Sequence, residues 1–127
     1  EAARESMAAI MAGHIACPAL DKSRAPATIS APMLTGVLRE NLKFDGVILT
    51  DDLNMGAITE RSGLADAAVA SLAAGADIVM ICETDGSVLR NVVDTLAAAA
   101  TDGRLDPASL ERSRQRILAL QERLRNK

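Results

Sequence analysis

Short apolar runs alternate with helical patterns along this chain of 127 residues, and this alternation limits the fold more than any other feature. The runs occupy residues 8–17, 46–50 and 77–82. The second run, Gly-Val-Ile-Leu-Thr, is continuously aliphatic, which is typical of a strand covered on both faces of a parallel sheet. Parallel strands are joined by crossover connections, most often helices. The alternation therefore predicts an α/β fold.

Helical spacing of apolar residues separates and follows these runs. It is found in residues 32–42, 64–74 and 88–96, and a last helix opens at Asp106 and Pro107. Gly75 stands where a left-handed residue would close the second helix. Residues 18–30 are rich in Pro, Ser and charged residues and predict an exposed loop. A closed (β/α)₈ barrel needs eight strands and about 250 residues, so three strands predict only part of one.

Composition argues against several kinds of partner. A net charge of -3 and a pI near 5.1 give no general attraction to nucleic acid or to an anionic membrane. The arginines of the last helix are interrupted by Glu111 and Glu122, which favours a solvated helix face over a nucleic-acid patch. The apolar runs are far shorter than the roughly 20 residues that cross a bilayer. We therefore expect no nucleic-acid partner and no membrane span.

Cysteine and histidine show no spacing typical of a zinc site. Cys17 and Cys82 lie far apart, and His14 is the single histidine, so no metal-ligand spacing occurs. We expect two buried, reduced thiols, no metal and no cofactor.

Polar residues lie in or directly after each of the three apolar runs. His14 lies in the later part of the first, Asp51 and Asp52 come directly after the second, and residues 82–85 end the third. Functional residues of α/β folds gather at this carboxyl edge of the sheet. Two adjacent carboxylates repel each other, which is costly unless a ligand, a cation or a reaction uses them. A plainer interpretation also stands at this point, in which Asp52 caps a helix and Asp51 is merely solvated.

Two segments resemble a known enzyme family. Residues 43–55, Lys-Phe-Asp-Gly-Val-Ile-Leu-Thr-Asp-Asp-Leu-Asn-Met, are similar to the nucleophile segment of family 3 glycoside hydrolases, Gly-Phe-x-Gly-x-x-x-Ser/Thr-Asp. Residues 11–21, Met-Ala-Gly-His-Ile-Ala-Cys-Pro-Ala-Leu-Asp, resemble the Ala-His-Val/Ile-x-x-Pro-Ala-x-Asp stretch of the β-N-acetylhexosaminidase (β-N-acetylglucosaminidase) branch. Lys43 and Gly13 depart from the usual Gly and Ala.

The loop after the nucleophile favours that same branch. Asp52, Leu53 and Met55 are similar to its pattern, whereas the β-glucosidase branch usually has Trp after the nucleophile. The resemblance implies that residues 1–127 are the C-terminal segment of a single catalytic (β/α)₈ (TIM) barrel. They would supply about the last three β/α units and a C-terminal helix.

The resemblance also implies a mechanism and roles for named residues. Asp51 would be the nucleophile of a retaining glycosidase acting through a covalent glycosyl ester. His14, Asp52, Asn54 and Met55 would contribute to substrate binding. For His14 this means lining the pocket floor or bonding a backbone group, with a plain core histidine as the alternative. Core packing is the alternative for Met55.

The family's acid/base histidine belongs to a Lys-His-Phe/Ile-Pro-Gly-His-Gly motif that this chain lacks. The expected partners are a carbohydrate, an N-acetylglucosaminide such as peptidoglycan-derived GlcNAc-anhydroMurNAc, and the missing N-terminal part of a bacterial barrel. We expect the fragment alone to be inactive. Two alternatives stay open: substrate-assisted hydrolysis by the Asp51–Asp52 pair, and a non-catalytic α/β module that binds the rest of the barrel.

The first residues lack an initiator Met and a signal-peptide pattern, and they resemble the middle of a helix. We therefore expect a segment of a longer chain. A cytoplasmic location is favoured, and an exported lipoprotein stays open because the true N-terminus would be missing.

Overall fold

The computed structural model describes residues 7–126, and within them the chain forms a three-stranded parallel sheet and five helices. The strands, in sheet order, are β1 (Ala9–Ala12), β2 (Val47–Asp52) and β3 (Ile78–Met80). The helices are α1 (Pro32–Asn41), α2 (Gly56–Thr59), α3 (Leu64–Ala74), α4 (Gly86–Thr101) and α5 (Pro107–Arg125). The predicted α/β class with a parallel sheet is confirmed. The helical segment expected for the first residues lies outside the described residues, which begin at Met7.

The sheet has two chemically different faces. Ile10 pairs with Ile48, and both pack with Leu34 of α1 in one hydrophobic cluster. The next row across the sheet consists of Met11, Leu49 and Ile78, which point to the opposite face because side chains alternate along a strand. Met11 is 53% exposed there, and its two row neighbours are partly exposed. One face of the sheet thus carries the helices, and the other is open to solvent at β1.

The two helix ends predicted from single residues are confirmed. Gly75 ends α3 with φ 114°, and a Cβ at this position would lie 2.6 Å from the Thr35 hydroxyl oxygen, so both the backbone conformation and the space require glycine. Asp106 begins α5 and accepts hydrogen bonds from the backbone N–H groups of Ala108 and Ser109.

Helix α1 is a π-helix, whereas the apolar spacing of residues 32–42 predicts an ordinary α-helix. It is of the wider π type over its whole length, Pro32–Asn41, and at its end the Leu42 N–H donates to the carbonyl of Val37, five residues earlier. Lys43 follows with φ 53°, a left-handed conformation that glycine adopts at no steric cost. This backbone conformation supplies a physical reason for the glycine that the family pattern has at position 43.

Two parts of the sequence interpretation are wrong in detail. Strand β1 spans four residues, not the whole apolar run 8–17, because the chain leaves the sheet after Ala12. The loop predicted as exposed at residues 18–30 instead buries three polar side chains, Asp21, Thr28 and Ser30. Asp21 Oδ2 accepts from the Ser30 hydroxyl at 2.6 Å, and its Oδ1 accepts from the backbone and hydroxyl of Ser23. These bonds hold the pKa of Asp21 below its ordinary value, the Ser23 hydroxyl first.

A buried ion cluster ties the amino ends of the strands to two helices. The Asp77 side chain is fully buried and accepts from Arg39 at 2.5 Å and from the Ile48 N–H at 2.8 Å through Oδ2. Its Oδ1 accepts from the Ser113 hydroxyl at 2.6 Å and from Arg116 at 3.2 Å. The arginines of the last helix had been expected on a solvated face, and for Arg116 this expectation is wrong.

Candidate active site

Strand β2 carries an irregularity at its carboxyl end. Leu49 pairs with Ile78 and Asp52 pairs with Met80, so three steps along β2 match two steps along β3. One extra residue therefore lies between Leu49 and Asp52, in the stretch that contains Asp51. Such β-bulges bend a strand and change the direction of a side chain. The strand itself continues through Asp51 and Asp52, two residues further than the apolar run predicts.

A buried hydroxyl stabilises this bulge. The Thr50 side chain is completely buried, and its Oγ1 accepts a hydrogen bond from the Met80 N–H at 2.9 Å. The Met80 carbonyl in turn accepts from the Leu53 N–H at 2.9 Å. A side-chain oxygen thus takes the place of a carbonyl in the ladder. The sequence interpretation assigned Thr50 no role, although the Ser/Thr of the family pattern was a signal for it.

We expect Thr50→Val in the complete protein to lower the free energy of unfolding by about 1–3 kcal/mol, because it leaves the Met80 N–H without an acceptor while keeping the side-chain shape. Thr50→Ser keeps the acceptor and serves as the control. Urea denaturation of the two variants measures the difference. Equal stability of the valine and serine variants would contradict the role of the hydroxyl.

Asp51 sits on the bulge with most of its acceptor capacity free. The residue is partly buried, and Oδ1 accepts the N–H of the neighbouring Asp52 at 2.8 Å. Among residues 7–126, no lysine or arginine forms a salt bridge with it. The carboxylate is therefore held at one oxygen and has its other oxygen available to a ligand.

Asp52 connects the ends of two strands. Its Oδ1 accepts from the Cys82 N–H beyond β3 at 2.8 Å and from the Asn54 N–H at 3.0 Å. These bonds lower the pKa of Asp52, the Cys82 contact most strongly. The next helix, α2, begins after Met55 without any side-chain cap. The interpretation of Asp52 as a helix cap is therefore wrong, because its side chain instead bonds the backbone after β3 and the turn after β2.

His14 reaches across from the end of β1 to the same segment. Its Nε2 lies 2.7 Å from the Asp52 carbonyl oxygen, and its Nδ1 lies 2.8 Å from the Thr28 hydroxyl oxygen. The expected contact with a backbone group is thus confirmed. Both ring nitrogens are engaged within the protein.

Asn54 and Met55 lie on the exposed turn after β2. Asn54 donates from its amide to Glu83 at 3.4 Å, which links the loops after β2 and β3. Met55 is 47% exposed, so core packing does not describe it in this structure. The structure therefore brings Asp51, Asp52, Asn54 and Met55 together at one sheet edge, with His14 behind them.

The two cysteines differ from the expected buried thiols. Cys82 is exposed and Cys17 is partly buried. The negative charge of Asp52, followed by burial and a weaker effect of Asp51, raises the pKa of the Cys82 thiol. Cys82 is therefore a neutral thiol beside the carboxylates at neutral pH. The link between the two loops is made by the Cys82 backbone N–H, which donates to Asp52 at 2.8 Å.

The described part of the chain contains neither a membrane-spanning helix nor a cluster of metal-binding side chains. No helix in residues 7–126 is both long enough and apolar enough to cross a membrane. Within the same residues, no three His, Cys, Asp or Glu side chains are grouped so that they could hold a metal ion.

Comparison with known families identifies the chain. The sequence profile described as the glycosyl hydrolase family 3 N terminal domain matches residues 1–120. Because this match covers nearly the whole chain, the chain belongs to glycoside hydrolase family 3.

Individual relatives show which members of the family the chain is similar to. The chain is 42% identical over 79 residues to a β-hexosaminidase of Neisseria meningitidis serogroup C, a match that covers 62% of this chain and 21% of that protein. A family 3 β-N-acetylglucosaminidase from a Paenibacillus species superimposes with a TM-score of 0.90 at 35% identity, over 96% of this chain and 23% of the other. A family 3 glycosyl hydrolase from Mycobacterium smegmatis gives 0.80 at 35% identity, over 93% and 36%. The chain is thus β-hexosaminidase-like, and it spans about a fifth of the curated relative.

Proposed function

We propose that this chain is the C-terminal segment of a (β/α)₈ catalytic domain in a retaining β-N-acetylhexosaminidase, and that Asp51 is its nucleophile. The observation that carries this proposal is the placement of Asp51. It lies on a bulge at the carboxyl end of a central parallel strand, has one carboxylate oxygen free, and sits beside the exposed Asn54 and Met55. Catalytic residues of barrel enzymes come from this edge of the sheet.

The rest of the barrel would cover the open side of the sheet. Met11, Leu49 and Ile78 form an apolar row on this side, with no polar group to be satisfied there. In a closed barrel such a row packs into layers with side chains from the other strands. The rest of the barrel would also supply the remaining walls of a sugar pocket around Asp51, since those strands and loops would lie outside this chain.

The chemistry of the proposed site is a double displacement. The Asp51 carboxylate attacks the anomeric carbon, and an ester bond forms as the bond to the leaving oxygen breaks. The leaving oxygen takes a proton from an acid that lies outside this chain. Water then attacks the same carbon and gives up its proton to that group, which releases the sugar with retained configuration and frees Asp51. The substrates are N-acetylglucosaminides, with a peptidoglycan-derived GlcNAc-anhydroMurNAc as the proposed natural example.

Covalent trapping tests the proposal. The complete enzyme is incubated with a slow fluorinated N-acetylglucosaminide, digested, and examined by peptide mass spectrometry. We expect the sugar on the peptide that contains Asp51, and no labelling of the Asp51→Asn variant. An active enzyme that carries no label would favour the substrate-assisted mechanism, in which the acetamido oxygen attacks instead.

The alternative function is a non-catalytic module that binds the rest of a barrel. It is favoured by one observation, that the only histidine of the chain, His14, hydrogen-bonds Thr28 and Asp52 through its two ring nitrogens and not the Asp51 carboxylate. We expect the purified 127 residues to hydrolyse no aryl N-acetylglucosaminide, because a nucleophile without an acid completes only half of the reaction. Adding the separately purified upstream segment should restore turnover if the whole is an enzyme. Binding of that segment without turnover would support the module.

A further inference from the structure

We propose that His14 is a positioning residue, which holds the nucleophile Asp51 in place through the backbone carbonyl of Asp52 and does not itself bind the sugar. This inference rests on the proposed function of Asp51. It changes the expected role of His14 from a pocket residue to a support behind the pocket.

Both ring nitrogens of His14 are used in hydrogen bonds within the protein. A carbonyl oxygen only accepts hydrogen bonds, so the contact of 2.7 Å with Asp52 requires a proton on Nε2 of His14. Nδ1 lies 2.8 Å from the Thr28 hydroxyl oxygen, and because a hydroxyl can either donate or accept, this nitrogen is also satisfied. With both nitrogens engaged, the ring has no polar atom left for a sugar hydroxyl or a glycosidic oxygen.

The bond between His14 and Asp52 lies just beyond the end of the regular pairing between β1 and β2. Regular pairing between β1 and β2 ends with Ala12 opposite Thr50, one residue before Asp51. The ring of His14 continues the connection beyond this point, because it bonds the carbonyl of Asp52 on the far side of the nucleophile. On the other edge of β2, Thr50 and Asp52 bond the N–H groups of Met80 and Cys82. Asp51 is therefore held between supports from both neighbouring strands.

Thr28, the residue that contacts Nδ1 of His14, is held rigidly by its surroundings. Thr28 is completely buried and lies in a short 3-10 turn, Ala27–Ile29. The loop that carries this turn is fastened by the buried Asp21 through its bonds to Ser23 and Ser30. The Ala27 N–H also donates to the Ile15 carbonyl at 2.9 Å. The fixed Thr28 hydroxyl therefore orients the His14 ring, and the ring in turn orients the carbonyl of Asp52.

Two substitutions of His14 separate its two contacts. In His14→Gln the side-chain amide nitrogen reaches the position of Nε2 and keeps the bond to Asp52. In His14→Asn the amide reaches only the position of Nδ1 and keeps the contact with Thr28. Both are introduced into the complete enzyme, and the rate of covalent labelling at Asp51 is measured together with kcat and KM.

We expect the asparagine variant to lower the labelling rate and kcat by about 10- to 100-fold with KM changed less than about threefold, since a displacement near 1 Å costs about this much. The glutamine variant should stay within about threefold of the wild type. Thr28→Val, compared with Thr28→Ser, provides a second pair if an exchange of His14 prevents folding. The valine variant is expected to lower kcat, and the serine variant to retain it.

Several results would overturn the inference. Labelling at the wild-type rate in the asparagine and valine variants would remove the positioning role. A rise in KM at unchanged kcat would instead assign His14 to direct sugar binding. In both cases Asp51 is still labelled, so the proposed function stands. If active wild-type enzyme carries no label on Asp51, the proposed function fails and this inference fails with it.

Discussion

Replacing Asp51 with alanine in the complete enzyme is expected to lower kcat/KM for an aryl N-acetylglucosaminide on the order of 10⁴-fold, because the covalent route loses its nucleophile. The fold should be preserved, since within residues 7–126 the Asp51 side chain makes a single hydrogen bond, to the N–H of Asp52. Steady-state kinetics and the thermal midpoint together distinguish lost chemistry from lost folding.

Two controls sharpen this experiment. Asp45→Ala removes another carboxylate, 92% exposed in its side chain, at the amino end of the same strand, and should leave kcat/KM unchanged. Adding azide to Asp51→Ala should restore part of the turnover and yield the α-glycosyl azide, because the small anion attacks from the side that Asp51 occupied. An alanine variant with activity close to that of the wild type would exclude Asp51 as the nucleophile.

Asp77→Asn is expected to lower the free energy of unfolding of the complete protein by about 3–5 kcal/mol, the usual cost of breaking a buried ion pair from one side. The fully buried Asp77 carboxylate bonds both Arg39 and Arg116. Burial already lowers the pKa of Arg39, and the charge of Asp77 opposes this effect. Without that charge, two guanidinium groups would repel each other with no buried counter-ion.

The matched control uses the other partner of Arg116. Asp45 lies 3.3 Å from the guanidinium of Arg116 and is almost fully solvated. Asp45→Asn should therefore cost no more than about 1 kcal/mol. Urea denaturation of both variants measures the contrast. Similar losses for Asp45→Asn and Asp77→Asn would show that burial does not decide the strength of this cluster.

Local patterns predicted much of the framework correctly. The apolar runs predict three parallel strands, and the ends of α3 and α5 follow from Gly75 and Asp106. Such features depend on interactions between residues within a few positions of one another, so they can be predicted from the sequence. The resemblance of residues 43–55 and 11–21 to family 3 glycoside hydrolases is confirmed for the family as a whole. The role of Asp51 remains a prediction for the trapping experiment.

Contacts between distant residues were not predictable in this way. His14 and Asp52 are 38 positions apart, and so are Arg39 and Asp77. A helical pattern places Arg39 on the solvent side, yet the charge of Asp77 and the carbonyls of Phe44 and Gly46 draw its side chain inward. No local pattern indicates such a partner.

By itself, the sequence determined the class of fold, the family and the segment that carries the candidate nucleophile, since hydrophobic periodicity and short motifs are properties of neighbouring residues. Only the tertiary structure decided how Asp51 is held. The extra residue in β2, the Thr50 hydroxyl in the ladder and the His14 ring behind Asp52 exist only because three strands lie side by side. The physical reason is that buried N–H and carbonyl groups must find partners, and at a bulge the backbone alone cannot provide them.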